Sequence, residues 1–158
     1  MISPRKLSAG FCLVVSGVVL VLTNAHVDAT GPSPLPAEDV VPVENSMHEF
    51  MEYVFQPTYL RLKQSMATAP ADNKGWKAIK SDSLILAESC NLLFSRKPAE
   101  HAEDWIRHAK SSKELGGKLY SAARAKDFAA ATESYKAMLE SCNSCHRQFE
   151  DGKHILMP

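Results

Sequence analysis

The sequence carries no excess of charge of either sign: 18 Lys and Arg stand against 18 Asp and Glu in 158 residues, and no stretch is rich in Lys or Arg. That removes the electrostatic footprint of a protein that grips nucleic acid or an anionic membrane surface. No segment alternates apolar and polar residues in the manner of a half-buried strand, which argues against a sheet-based fold. No apolar run reaches the ~20 residues that cross a bilayer as a helix. Cysteine is scarce, at four residues, so a disulfide scaffold, a metal site and a covalently held cofactor stay open until the spacing is read. What is present, 45% hydrophobic and 23% charged residues, is the composition of one ordinary globular domain.

Residues 1–25 read as a secretory signal peptide. Arg5 and Lys6 give a short basic start, an apolar run from Phe11 to Leu22 follows, and Thr23, Asn24 and Ala25 form a small-residue cleavage site. Val27, Asp28 and Ala29 offer a second cut, after residue 29. Cys12 leaves with the signal. The expected product is exported, to a periplasm or an equivalent compartment, with no membrane span after cleavage. It keeps three cysteines and is slightly acidic, because residues 1–25 carry two bases and no acid. Residues 30–44 hold Pro32, Pro34, Pro36 and Pro42; their fixed φ and missing N–H groups oppose helix and sheet alike, and the segment reads as an extended linker.

From there the hydrophobic period is helical. Ser46 followed by Glu49 is a capping-box pattern that starts a first helix near Met47. Met47, Phe50, Met51, Val54, Phe55, Thr58 and Leu62 then share one broad face at about 100° per residue, and Pro57 is expected to interrupt and kink the helix. Asp72 caps a second helix, whose seam is Trp76, Ile79, Ser83, Leu86, Cys90 and Leu93. Pro98 suits the first turn of a third helix with Trp105, Ala109, Ser112, Leu119 and Ala123 inward, and Gly116 and Gly117 as a spot of close packing. Asp127 caps a fourth, in which Phe128, Ala131, Tyr135, Met138, Cys142, Cys145 and Phe149 repeat at the same three-four spacing until Gly152 ends it. The charged stretches of the second and third helices read as outward faces. Four such helices with short connections predict an all-α fold, an antiparallel up-down four-helix bundle over residues 46–152, with 153–158 as a C-terminal tail.

The chemistry lies in Cys142-Asn143-Ser144-Cys145-His146, a C-x-x-C-H run, the attachment signature of c-type haem. Two thiols one helical turn apart can add across the two haem vinyl groups, and the adjacent imidazole reaches the iron. Other readings of these residues fit less well. A thioredoxin-like dithiol needs the pair at a helix N-terminus beside a βαβ unit. Zinc needs a fourth ligand, and His48, His101, His108 and His154 form no ligand-spaced pair with the motif or with one another. A disulfide framework would leave Cys90 alone on an apolar face, where a small buried hydrophobe is the simpler description.

A helical bundle whose last helix carries C-x-x-C-H near its end resembles the class II c-type cytochromes, the group containing cytochrome c prime. The resemblance spans residues 46–152 and rests on CNSCH followed by Phe149, which matches an aromatic usual three residues after the ligand histidine. It implies one covalent haem c, with Cys142 and Cys145 as thioethers and His146 as the proximal iron ligand. Two features depart from the family pattern: Glu150 stands where a base is usual, and the first helix lacks an Arg-Gln pair.

The resemblance also places the first helix across the other haem face. A methionine there closes the iron for electron transfer; an apolar residue leaves it five-coordinate and open to NO or CO. Counted in from the helix ends of an antiparallel pair, Met51 lies at the depth of His146 and is the favoured distal ligand, with Met47, His48 and an open site as the alternatives. Methionine as gap-filling core competes with all of them. The expected function is electron transfer with redox partner proteins, not enzymatic catalysis. Acidic charge on the exported chain favours a partner with a basic docking patch. Arg147 and Lys153 are candidate partners for the haem propionates, and the family's frequent dimers make a homodimer an option, with the wide arc of the first helix as the face for it. A helical interaction module without cofactor is the reading from a different class.

Overall fold

The structure, a computed structural model, describes residues 41–158. The expected signal peptide and all but the last residues of the expected linker lie outside them. Four long helices and no strand are found among the described residues. In chain order they are α1 (residues 47–66), α2 (Asn73–Ser89, continued after a turn at Cys90 by Asn91–Phe94), α3 (Ala102–Ala125) and α4 (Phe128–Phe149). α1 packs along α2, α2 along α3 and α3 along α4, and no backbone approach of similar extent joins α1 to α4. This is an all-α fold consistent with the expected bundle.

Local chemistry explains most of the boundaries. Asp72 accepts the Gly75 N–H at 2.8 Å and Asp127 that of Ala130 at 3.0 Å, each satisfying a donor that the helix start leaves without an intrahelical partner. At α1, Ser46 Oγ accepts from Glu49 N–H at 3.3 Å, but the reciprocal half of the expected capping box is absent: the Ser46 N–H donates instead to Glu44 Oε1 at 2.6 Å. Pro57 does not break α1 either. The helix runs as Met47–Phe50, a wide π turn Met51–Phe55, then Gln56–Met66, and the Gln56 N–H reaches back five residues to Met51 O. A proline has no N–H to place, and its ring crowds the carbonyl four residues back; the wide turn immediately before it relieves that crowding.

Pro98 is not in the first turn of α3. That helix begins at Ala102 behind His101, which sits in the left-handed region at φ 56° and gives no side-chain cap. Proline pushes the residue before it toward extended backbone, and here Pro98 belongs to the connection out of α2. Of the glycine pair, only Gly116 is at a close approach: a Cβ there would lie 3.1 Å from Ala87 Cβ, whereas one on Gly117 would meet nothing within 4 Å. One charge of α2 is not outward. Asp82 is 5% exposed and takes Arg61 Nη2 at 2.8 Å and Nε at 3.1 Å, tying α1 to α2.

The core is divided lengthwise. Around Leu62, Met66, Trp76, Ile79, Leu119, Tyr135 and Met138, large side chains from all four helices fill the space between them. At the other end a smaller cluster holds Phe50, Cys90, Leu93, Trp105 and Ala109, with Met47, Met51, Val54 and Phe149 only partly buried against it. The antiparallel arrangement puts the start of α1 and the end of α4 together at this second end.

Candidate functional site

A cavity of about 400 Å³ opens at that end, walled by all four helices and by residues 154–156. Its volume lies in the range that takes cofactor-sized ligands. α4 contributes Cys142, Cys145, His146 and Phe149; α1 contributes Met47, His48 and Met51. The helical spacing of the C-x-x-C-H run sets its three side chains into one wall, and the opposed register of α1 brings all three candidate distal ligands into the same space. The π turn begins at Met51, inside that wall; wide turns of this kind are common where a helix shapes a functional site.

Cys90, Cys142 and Cys145 are free thiols. Burial raises the pKa of each: Cys145 is pushed up to about 12, Cys90 likewise to about 12, and Cys142 upward, because a thiolate in an apolar wall loses its hydration. The Cys142 thiol points at Ser112 Oγ, 3.8 Å away. Ser112 in turn is 3.0 Å from Ser141 Oγ, which donates to Ser111 Oγ at 2.9 Å, so a small hydroxyl cluster joins α3 to α4 behind the first thiol. Cys90 is 3% exposed, the small buried residue the seam of α2 required, and it also lines the cavity.

His146 is held from behind. Its Nδ1 lies 2.9 Å from the carbonyl oxygen of His154, and because a carbonyl only accepts, Nδ1 carries the proton and Nε2 keeps its lone pair. Burial is the main cause of a lowered His146 pKa, so the neutral form is favoured. A neutral imidazole donating Nδ1–H to a carbonyl is the form in which histidine binds a metal through Nε2. Phe149 packs edge-on to Trp105 at 5.0 Å between centroids and to His108 at 6.2 Å. His108 Nε2 pairs with Gln148 Oε1 at 2.8 Å, and Gln148 donates to Asp104 at 2.8 Å.

The residues fit a covalently held haem: two free thiols one turn apart, a neutral imidazole beside the second, a thioether side chain on the facing helix and mainly apolar walls. Among the described residues, no three His, Cys, Asp or Glu side chains converge closely enough to hold a bare metal ion. Neither Arg147 nor Lys153 is in the cavity wall, and Arg147 pairs with Glu140; the polar rim is formed instead by residues such as His48, Glu52, His108 and Glu150.

Sequence reasoning missed the tail as part of the site. Residues 153–158 were expected to trail from the bundle, yet His154, Ile155 and Leu156 line the cavity. It also missed Ser112 as the partner of Cys142. No helix among the described residues is long and apolar enough to cross a membrane. A scan against protein-family models finds no match to this chain, and a search of characterised proteins finds no significant relative.

Proposed function

We propose that this chain is an exported monohaem c-type cytochrome of class II character that carries electrons between redox partner proteins. The observation that carries the reading is the convergence, in one apolar cavity, of Cys142, Cys145 and His146 from α4 with Met51 from α1. In this reading Cys142 and Cys145 would hold haem c as thioethers, and His146, through Nε2, and Met51 would be the ligands of its iron. The bound haem supplies a one-electron iron couple whose potential a His/Met ligand pair raises. The protein contributes the rest: α1 and α4 fix the facing side chains, Trp105 and Phe149 exclude water from the inner wall, and the His154 carbonyl holds the imidazole tautomer.

The test is co-expression of the full chain with a cytochrome maturation system, then haem staining of the denatured band and an optical spectrum. The reading expects a stained band that Cys142→Ala weakens, low-spin reduced bands, and a ferric charge-transfer band from methionine ligation that Met51→Ala removes. A high-spin spectrum with rapid CO binding by the ferrous protein would replace electron transfer by five-coordinate binding of NO or CO. A colourless wild-type band would remove haem altogether and leave a helical interaction module.

A further inference from the structure

We infer that Asn143 is a positioning residue for His146, acting through a strap formed by residues 154–157 that its side chain pins across the site; the inference rests on the haem reading for its consequence, but not for its geometry. Asn143 is a variable position inside the C-x-x-C-H run, yet it is 6% exposed. Both ends of its amide are used on one residue of the strap: Nδ2 donates to Leu156 O at 3.0 Å and Oδ1 accepts from Leu156 N–H at 2.7 Å. A primary amide reads the two groups of a single residue in this way, and no other uncharged side chain of that length supplies both donor and acceptor.

The next residue is fixed by the same device from α1. Tyr59 OH donates to Met157 O at 2.7 Å and accepts from Met157 N–H at 3.1 Å, with Lys63 Nζ 3.0 Å from the same carbonyl. The Leu156 side chain packs into the larger core cluster. On the near side, the Gly152 N–H donates to His146 O at 3.1 Å and Lys153 N–H to Glu150 O at 2.9 Å. Between these anchors His154 sits at φ 56°, a left-handed conformation that a residue with a Cβ does not adopt freely. Anchors on both sides hold it there, and the result is a carbonyl aimed at His146 Nδ1.

Such outer partners orient a ligating histidine and raise its basicity. In this protein the partner is a backbone carbonyl whose position is set by Asn143 and, more remotely, by Tyr59. Neither side chain approaches the thiols or the imidazole through any hydrogen bond of its own.

Two readouts test this, one without haem. In the full chain produced without a maturation system, long-range ¹H–¹⁵N NMR of His146 should show the Nδ1–H tautomer; Asn143→Ala should mix the tautomers, and Asn143→Asp, which keeps the acceptor but loses the donor, should fall between. In the haem-loaded chain, Asn143→Ala weakens the imidazole as a donor and should move the ferric/ferrous equilibrium about tenfold toward ferrous, a rise of about 59 mV for one electron. Tyr59→Phe, which removes one oxygen whose hydrogen bonds go only to Met157, should shift both readouts in the same direction by less, and serves where Asn143→Ala fails to fold. Wild-type tautomer populations in both variants overturn the inference, as does a tautomer change that leaves the potential unmoved. If the chain takes up no haem, the proposed function fails, while the tautomer measurement still decides whether Asn143 positions His146.

Discussion

The ionisation of Cys145 gives a quantitative test of the site before any cofactor is present. Burial carries its pKa from an ordinary 9.0 to about 12, which at pH 8 cuts the thiolate fraction roughly a thousandfold. A thiolate of higher pKa is also a better nucleophile: at a Brønsted slope of about 0.4–0.5 the same change returns about 15- to 30-fold. Alkylation of Cys145 by iodoacetamide should therefore be about 30- to 60-fold slower in the folded, haem-free chain than in the same chain unfolded in urea. The rate is followed by mass spectrometry of the peptide that contains residue 145. The pH profile separates ionisation from access: the folded rate should climb about tenfold per pH unit up to pH ~11, while the unfolded rate levels off near 9. Equal rates in a chain that circular dichroism shows to be folded, or a folded profile that bends near 9, would refute the buried-thiol argument. The corollary is chemical. Thiols held in this state are poor partners for any addition, so on the proposed haem reading thioether formation would belong to the unfolded chain, before α4 closes on the bundle.

Three further outcomes follow from particular contacts. His146 has a folded pKa below its ordinary 6.5, so the unfolded chain binds more protons below that pH; its contribution to stability is full above about pH 6.5 and is lost as pH falls through the window down to the folded pKa, and the urea midpoint of the haem-free chain should fall less between pH 7 and 5 in His146→Gln than in wild type. Gly117→Ala should stabilise by about 0.5–1 kcal/mol, since a Cβ there is unopposed and alanine is the better helix former, whereas Gly116→Ala, 3.1 Å from Ala87 Cβ, should lose about 1–3 kcal/mol to overpacking before that gain is counted; urea melts of the two variants should move in opposite directions. Tyr135 has a buried hydroxyl with no hydrogen-bond partner among the described residues, so Tyr135→Phe should raise stability by about 1 kcal/mol by removing an unsatisfied polar group; a loss of stability would mean that the hydroxyl has a partner.

The helices that could be read from the sequence are those whose pattern runs unbroken. All six seam residues of α2 expected inside, from Trp76 to Leu93, are buried, because a three-four repeat on a rigid helix leaves one choice of inward face. α1 was harder. Its apolar arc was visible, but the five-residue π turn shifts the register between Met51 and Phe55, and no composition rule announces where a proline will be absorbed and where it will break a helix. Pro98 misled for a related reason. A proline is compatible with the first turn and with the loop before it, and only the packing of Trp105, whose indole N–H donates to Leu93 O at 2.8 Å, sets where α3 begins. The anchors on α4 were legible through a covalent motif, whereas the strap was not. Its contacts to Asn143, Tyr59 and His146 run from the strap's backbone to side chains across the fold, and four residues with no period of their own leave no trace of them in the sequence.

Packing energetics bear on why the bundle is filled at one end only. A sealed, dry void of about 400 Å³ would cost on the order of 10 kcal/mol at ~24 cal/mol per Å³, as much as the whole stability of a typical domain. The haem-free chain limits that cost by leaving the space partly open behind a polar rim, with Met47, Met51 and Val54 half-buried where their counterparts at the other end, Leu62 and Met66, are closed in. Larger side chains at Ala109 and Ser112, both in the cavity wall, would occupy part of the gap from α3. Small residues at those positions, facing two thiols and an imidazole, leave open the space that the proposed haem would occupy. On that basis cofactor attachment should raise the unfolding midpoint, while Ala109→Leu should stabilise the haem-free chain and impair haem attachment together.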